Sequence, residues 1–226
     1  MSAEEDFLAP YQEAETDFTE KRSRFIGHIW RTDSEEAARQ RIEETRKRYH
    51  NARHNCWAYA IHDGNIVRYS DDGEPQGAAG QPILNVLQWR GVTNACCVVT
   101  RYFGGVLLGT GGLSRAYLRS AKETIDAAGV ALVSLWSCWE IPCPYALLDA
   151  LQREIDFCGG QVSKTDYAEQ ATVYAMFPRD ASEEFKTRLA FVSVKNPLPI
   201  KYVGDVRTSK RIKVSQENSI PPWLQS

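Results

Sequence analysis

Apolar residues recur along this chain with two different periods, and the two periods alternate. Continuous or alternating apolar runs of about four to eight residues predict strands, whereas an apolar residue at every third or fourth position predicts an amphipathic helix. Asp33 and Glu36 mark the start of the first helix. In the first half the pattern predicts, in order, a strand at 24–31, a helix to about Tyr49, strands at 55–61 and 66–69, a short helix at 83–88, a strand at 95–100 and a helix after Gly112.

The second half of the chain alternates in a different order. It predicts a strand, a helix, two strands that form a hairpin, a second helix and a last strand. This is the split βαβ order of ferredoxin-like domains. The two halves together predict an α+β protein with a ferredoxin-like second domain. The predicted elements of the second half span 132–141, 144–158, 162–167, 171–177, 182–192 and 198–206.

The predicted domains occupy 21–131 and 132–206, with a segment outside them at each end. Residues 1–20 are acidic and weakly patterned, which predicts a leader that lies on the surface or is partly disordered. Residues 207–226 form a predicted flexible basic tail that contains Pro221-Pro222. The cations of this tail are Arg207, Lys210, Arg211 and Lys213.

Composition narrows the functional classes. The 226 residues carry a net charge of −2, so any nucleic-acid binding must use a local basic surface. No apolar run approaches the roughly 20 residues that span a bilayer, and the first residues do not resemble a signal peptide. The 6 cysteines include no CxxC pair, which favours buried, reduced thiols in a cytoplasmic protein. We therefore expect no membrane association, no bound metal and no cofactor.

A glycine-rich segment connects the strand at 95–100 to the following helix. Glycine is used where the backbone needs positive φ or must approach another group closely. A glycine-rich loop at a helix N-terminus is a candidate anion site, because free backbone N–H groups and the helix dipole favour negative charge. Arg101 and Arg115 bracket this loop. The alternative is a tight structural connection. The glycines are Gly104, Gly105, Gly109, Gly111 and Gly112.

Arg115, Arg119 and Lys122 are spaced i, i+4 and i+7 on the predicted helix after the loop. They would form a basic face beside the candidate anion site, which suits a phosphate backbone. A plain solvated helix face has the same pattern.

The segment 70–82 is a long predicted loop that carries Asp71, Asp72 and Glu74. Carboxylates placed together can act as acid and base or bind a divalent cation. Aspartates beside Gly and Pro are also ordinary turn formers. A third interpretation joins the carboxylates to Arg101 and Arg115 by charge-assisted hydrogen bonds that hold the loop shut.

His50, Arg53 and His54 form a further cluster at the predicted end of the first helix. Two histidines four residues apart on a helix can bind a metal ion, but no third ligand at a matched spacing is evident. The alternative is that these residues place cations at a helix C-terminus.

Three sequence signatures together resemble the IMPACT/YigZ family. Leu107 stands where many members have lysine, and Ala78 stands where threonine is usual. The signatures are ARHNCWAY at 52–59, SDDGEPQGAAGQP at 70–82 and RYFGGVLLGTGGLSRAY at 101–117.

The resemblance implies a first domain similar to the second domain of a small-subunit ribosomal protein and to domain IV of elongation factor G. It implies a second, ferredoxin-like domain similar to the last domain of that factor. Eukaryotic relatives carry an additional RWD domain and restrain a translation-regulating kinase. This chain has no room for an RWD domain, so the resemblance implies a bacterial-type, two-domain member.

Three functional hypotheses follow, in order of preference. The first is a non-enzymatic, translation-associated protein that binds RNA or the ribosome through the glycine-rich helix start and its basic face. The second is an enzyme that acts on a small phosphorylated or otherwise anionic substrate. The third is a protein-interaction module in which the acidic loop and the basic helix form a polar rim.

Overall fold

The computed structural model of the protein describes residues 6–192 and 197–212. The predicted α+β class is confirmed, because helices and antiparallel sheets both occur along the chain. The strands are β1 (Phe7–Pro10), β2 (Ala14–Glu20), β3 (Ser23–Arg31), β4 (His54–Ile61), β5 (Ile66–Ser70), β6 (Ala95–Tyr102), β7 (Val130–Cys143), β8 (Gln161–Tyr167), β9 (Ala171–Pro178) and β10 (Lys201–Ile212). The helices are α1 (Glu35–Arg48), α2 (Gly80–Trp89), α3 (Gly109–Ala128), α4 (Leu148–Phe157) and α5 (Ser182–Val192).

The described chain forms two compact units. The described residues up to Val133, together with those from Ser209 onward, form the first unit, and the described residues within Ser134–Thr208 form the second. No helix in the described part of the chain is long and apolar enough to cross a membrane.

The first unit is built on a 5-stranded sheet in the order β2-β3-β6-β4-β5. One face is covered by α2 and α3, whose residues Leu87 and Tyr117 are buried against Phe25 and its neighbours. The other face holds α1, whose Ile42 packs in the same cluster as Tyr59 of β4. Because helices cover both faces, the central strand β6 is apolar at consecutive positions rather than alternate ones.

Helix α1 begins one residue later than the sequence pattern suggests. The Ser34 hydroxyl, and not Asp33, caps it by accepting a hydrogen bond from the Ala37 backbone N–H at 3.2 Å. Acidic residues in its first turn and basic residues in its last turn match the helix dipole.

The prediction of a leader over residues 1–20 is wrong for the residues that the structure describes. Phe7–Pro10 form β1, which pairs with the beginning of β7, and Ala14–Glu20 form β2, which pairs with β3 along its whole length. The hydrophobic pattern did not predict β2 because β2 is an edge strand. Only its alternate positions are partly buried, and most of them are not strongly apolar.

The second unit has the predicted element order β-α-β-β-α-β. Strand β7 pairs with β9, β9 pairs with β8, and β10 pairs with β7. The helices contribute Leu151, Ile155 and Phe185 to a core that also contains Phe177 of β9.

The prediction of a flexible tail from Arg207 onward is wrong for 207–212, which continue β10. This strand is held by backbone pairing and not by an apolar pattern, so its many charged residues concealed it. Charged residues are typical of exposed edge strands. Lys213 and Pro221-Pro222 lie outside the described residues.

Candidate functional site

Asp71 caps helix α2 although it lies 9 positions before Gly80, the first residue of that helix. Its carboxylate accepts hydrogen bonds from the backbone N–H groups of Gly77 at 2.8 Å, Ala79 at 3.0 Å and Gly80 at 2.8 Å. The helix has no acidic residue in its first turn and no side-chain cap at Ala79. Asp71 therefore supplies both the acceptor and the negative charge that a helix N-terminus favours.

Asp72 ties the same loop to the sheet and to α1. Its carboxylate accepts from the Asn55 backbone N–H at 2.7 Å and from the Arg46 guanidinium at 2.8 Å. Its backbone carbonyl lies 2.8 Å from Nδ1 of His54. Because a carbonyl oxygen only accepts, Nδ1 of His54 must carry the proton that is donated.

Glu74 is the buried centre of the loop. Its Oε1 accepts from Arg101 at 2.6 Å and from the Tyr117 hydroxyl at 2.9 Å, and it lies 3.9 Å from Nε2 of His54. The side chains of Glu74 and Arg101 are only 4% and 5% exposed. The arrangement matches, for Arg101, the interpretation in which ion pairs hold the loop shut. It also shows that the Arg101 charge is neutralised by the protein itself.

Cys56 and Tyr117 lie beneath this ion pair, and both stay neutral. Burial raises the pKa of the Cys56 thiol and of the Tyr117 hydroxyl far above their ordinary values. The Cys56 Sγ donates to the Asp71 carbonyl at 3.0 Å. A buried thiol with a raised pKa is a poor nucleophile.

A cleft of about 330 Å³ opens between the acidic loop and the glycine-rich loop. The Phe103 ring forms part of its wall, with the guanidinium groups of Arg53 and Arg101 at 5.9 Å and 5.4 Å from the ring centre. His54 and Glu74 also line it. The fold thus brings together two of the three residues of the predicted His50 cluster. His50 is exposed and does not line the cleft.

The glycine-rich loop ends at α3 without a cap. Leu108 occupies the N-cap position, where it cannot accept a hydrogen bond, and the first turn contains no acidic residue. Gly105 and Gly109 have φ values of 82° and 72°, which other residues adopt at an energetic cost. Leu107 at the tip of the loop is 82% exposed. The tip of the loop therefore exposes an apolar side chain to solvent.

The predicted basic stripe divides into members with and without partners. Arg119 forms an ion pair with Glu123 at 2.7 Å and covers the Phe18 ring at 4.3 Å. Arg115 is exposed, and no ion pair joins it to another described residue. Arg115 and Arg119 line a second, smaller cleft of about 170 Å³, whereas Lys122 does not.

Two cations in the turn beside the glycine-rich loop were not assigned to a site from the sequence. Lys21 and Arg22 form the turn between β2 and β3, with φ values of 46° and 68°, and both are exposed. A Cβ atom at Gly104 would lie 1.9 Å from the Arg22 carbonyl oxygen, so this turn lies directly against the glycine-rich loop. Recognising the hairpin would have required recognising the polar strand β2.

Among residues 6–192 and 197–212, no three His, Cys, Asp or Glu side chains are placed together so that they could hold a metal ion.

Comparison with known proteins assigns the chain to a family. The sequence profile of the Impact N-terminal domain matches residues 21–125, which contain both loops and every residue that lines the larger cleft. The IMPACT family member YvyE of Bacillus subtilis is 38% identical over 173 residues, which cover 75% of this chain and 80% of that protein. This chain belongs to the IMPACT family. The family member YigZ of Escherichia coli is 35% identical over 75% of this chain and 85% of its own length.

Eukaryotic IMPACT proteins match a shorter part of the chain. The IMPACT homolog of Schizosaccharomyces pombe is 34% identical over 95 residues, which cover 40% of this chain and 34% of that protein. A solved crystal structure, described only as that of a hypothetical protein, superimposes with a TM-score of 0.57 at 32% identity. The match covers 88% of this chain and 98% of the other.

Proposed function

We propose that this IMPACT family member is a translation-associated regulatory protein that binds RNA, free or within the ribosome, through the glycine-rich loop. The binding surface consists of the uncapped start of α3 and the cations around it: Lys21, Arg22, Arg115 and Arg119. The family assignment supports the general context, and the charge distribution around the loop supports the ligand.

The observation that carries this proposal is the convergence of unpaired cations on the uncapped helix start. Lys21 of the β2–β3 turn and Arg115 of α3 line the smaller cleft beside this helix start, and the backbone of Arg22 lies against Gly104. No ion pair with another described residue neutralises any of these three cations. Free N–H groups and exposed cationic side chains are donors that bind phosphate oxygens. Glu20 also lines the smaller cleft and offsets part of this charge. Arg101, by contrast, acts by holding the loop through Glu74.

The test is a salt-titrated binding assay with purified ribosomes and short single-stranded RNAs. Three phosphate contacts predict a slope of about −2 for the logarithm of affinity against the logarithm of salt concentration. Arg115→Ala and Lys21→Ala should each weaken binding severalfold and flatten the slope. Lys47→Ala, which removes an exposed cation of α1, is the matched control and should leave both unchanged. Binding that ignores salt and both site variants would refute the proposal.

A protein partner is the second candidate, because apolar side chains are exposed beside the cations. Phe103, Val106 and Leu107 are 39%, 38% and 82% exposed on one short segment. Exposed apolar groups with a polar rim are typical of protein-binding surfaces. Leu107→Ser separates the two candidates. It should abolish binding to a protein partner, whereas phosphate-driven RNA binding should persist.

A further inference from the structure

A groove of about 460 Å³ lies on the α1 side of the sheet, between α1 and the strand pair β4–β5. It therefore lies on the face opposite to α3, whose N-terminus carries the proposed RNA surface. Its volume is in the range of small-molecule sites. Two of its lining residues, Trp57 and Tyr59, belong to the signature at 52–59, whereas the glycine-rich loop contributes none.

The floor of the groove is aromatic. Trp57 and Tyr59 are alternate residues of β4, so their side chains lie on the same face of the sheet. Their rings are 5.4 Å apart and nearly parallel, with an interplanar angle of 6°. Tyr59 is buried, whereas Trp57 is partly exposed. Trp57 therefore offers a flat aromatic surface to a ligand in the groove.

Arginines from two elements surround this floor. Arg39 and Arg46 are seven residues apart on α1 and lie on its groove side, and Arg68 of β5 pairs directly across from Tyr59. These side chains differ in how firmly they are held. Arg46 contacts Glu43 and Asp72 at 2.8 Å, so it is committed to the acidic loop.

Arg39 and Arg68 are held less firmly than Arg46. Arg39 lies 3.5 Å from Glu35 but its side chain is 71% exposed, and exposed ion pairs are weak. The Glu35 carboxylate also accepts a hydrogen bond from the Tyr59 hydroxyl at 2.6 Å. Arg68 donates to the carbonyl of its neighbour Val67 at 2.8 Å, and no carboxylate of the described residues lies within ion-pair distance of it.

We propose that this groove binds a nucleotide, with its base stacked on Trp57 and its phosphate held by Arg68 and Arg39. An aromatic surface binds a planar ring by stacking, and guanidinium groups bind a phosphate through charge-assisted hydrogen bonds. A nucleotide combines the two features. The Glu43 carboxylate also lines the groove. Its Oε1 accepts from Arg46, which leaves its second oxygen as an acceptor of the kind that ribose hydroxyls and base amino groups require.

The nucleotide can come from two sources with the same chemistry: a free mononucleotide, or one unit of a single-stranded RNA. Stacking platforms flanked by cations are a common way to hold single strands. The proposal is independent of the glycine-rich loop, because the groove uses α1, β4 and β5 and shares no lining residue with either cleft beside that loop.

The experiment titrates the full-length protein with AMP, UMP and a fluorescein-labelled single-stranded RNA decamer, using calorimetry and fluorescence anisotropy. Trp57→Leu removes the stacking surface and should weaken binding about tenfold or more. Arg68→Gln removes an exposed cation without disturbing the core and should weaken it about fivefold. Lys47→Ala on the same helix as Arg39 is the matched control and should bind normally. Unfolding curves of every variant exclude loss of fold.

Each outcome has a distinct meaning. Mononucleotide binding that is lost in Trp57→Leu and Arg68→Gln supports the groove with a free nucleotide as its ligand. Decamer binding alone, with the same sensitivity, supports it with an RNA strand. Decamer binding that depends on Arg115 but not on Arg68 upholds the glycine-rich loop and overturns the groove. No binding of any of the three at about 1 mM also overturns the groove.

Discussion

The acidic loop and the glycine-rich loop face each other across one cleft, but they differ in whether their polar groups have partners within the protein. Every carboxylate of the acidic loop has a protein partner: Asp71 accepts from backbone amides, Asp72 from Asn55 and Arg46, and Glu74 from Arg101 and Tyr117. The glycine-rich loop leaves the start of α3 without a side-chain cap and places Leu107 in solvent.

The difference shows which charges are available for function. Carboxylates that already accept several hydrogen bonds stabilise the fold, and using them for catalysis would first require breaking those bonds. Amides and cations without protein partners can bind a ligand without first breaking a hydrogen bond within the protein. A polar residue in a signature therefore suggests binding only when the fold leaves it free. By this criterion the acidic loop supports the fold, and the glycine-rich loop is the surface that we propose for binding.

The largest expected effect on stability comes from removing the charge of Glu74, which tests whether the acidic loop supports the fold. Glu74→Gln keeps the shape of the side chain but leaves Arg101 buried without a counter-charge. Breaking a buried ion pair by removing one partner costs about 3–5 kcal/mol. We expect a loss near the lower end, about 3 kcal/mol, because the amide oxygen still accepts one hydrogen bond. Urea unfolding monitored by circular dichroism measures it.

Glu123→Gln is the matched control for that variant. Its partner Arg119 is half exposed, so the loss should stay below about 1 kcal/mol. Equal losses in the two variants would show that Glu74 is not a buried support.

The contact between the glycine-rich loop and the β2–β3 turn is tested by two neighbouring glycines. A Cβ atom at Gly104 would meet the Arg22 carbonyl oxygen, which belongs to the backbone and cannot move aside, whereas a Cβ at Gly105 would meet no atom within 4 Å. Gly104→Ala should cost about 2–3 kcal/mol. Gly105→Ala should cost about 1 kcal/mol through its positive φ alone. Thermal unfolding measures both, and a reversed order would contradict the close approach of Arg22.

Asp71 tests whether the acidic loop supports α2. Asp71→Asn keeps one oxygen acceptor and replaces the other with an amide that cannot accept from Gly77. We expect a loss of about 1–2 kcal/mol in the free energy of unfolding, with unchanged RNA affinity. A variant with full stability and no binding would make Asp71 a ligand-binding residue and would reverse the assignment of the two loops.

Much of this arrangement could be predicted from the sequence, because it is local. The strand, glycine-rich loop and helix that became β6 and α3 follow each other along the chain, and their periodicity is plain. The interpretation in which an ion pair holds the acidic loop could also be stated beforehand. Choosing it could not, because Glu74 and Arg101 are 27 positions apart and only the fold shows that both are buried.

Other features had no local signal. Strand β2 is defined by its pairing with β3, and its polar sequence does not distinguish it from a surface segment. The turn cations Lys21 and Arg22 were missed with it. The role of Asp71 was hidden for a related reason, since a helix cap is expected next to its helix and this one reaches Gly80 from 9 positions away.

The smallest expected effect on stability comes from removing cations beside the glycine-rich loop. Arg115→Ala combined with Lys21→Ala should change the free energy of unfolding by less than about 0.5 kcal/mol, because both side chains are exposed and neither is joined to another described residue by an ion pair. The same double variant should have the largest effect on RNA affinity. That result would show that stability depends on the acidic loop and that RNA binding depends on the glycine-rich loop. A loss of stability above about 1 kcal/mol would instead show that these cations support the fold, as Arg101 does, and that the glycine-rich loop is a second structural connection.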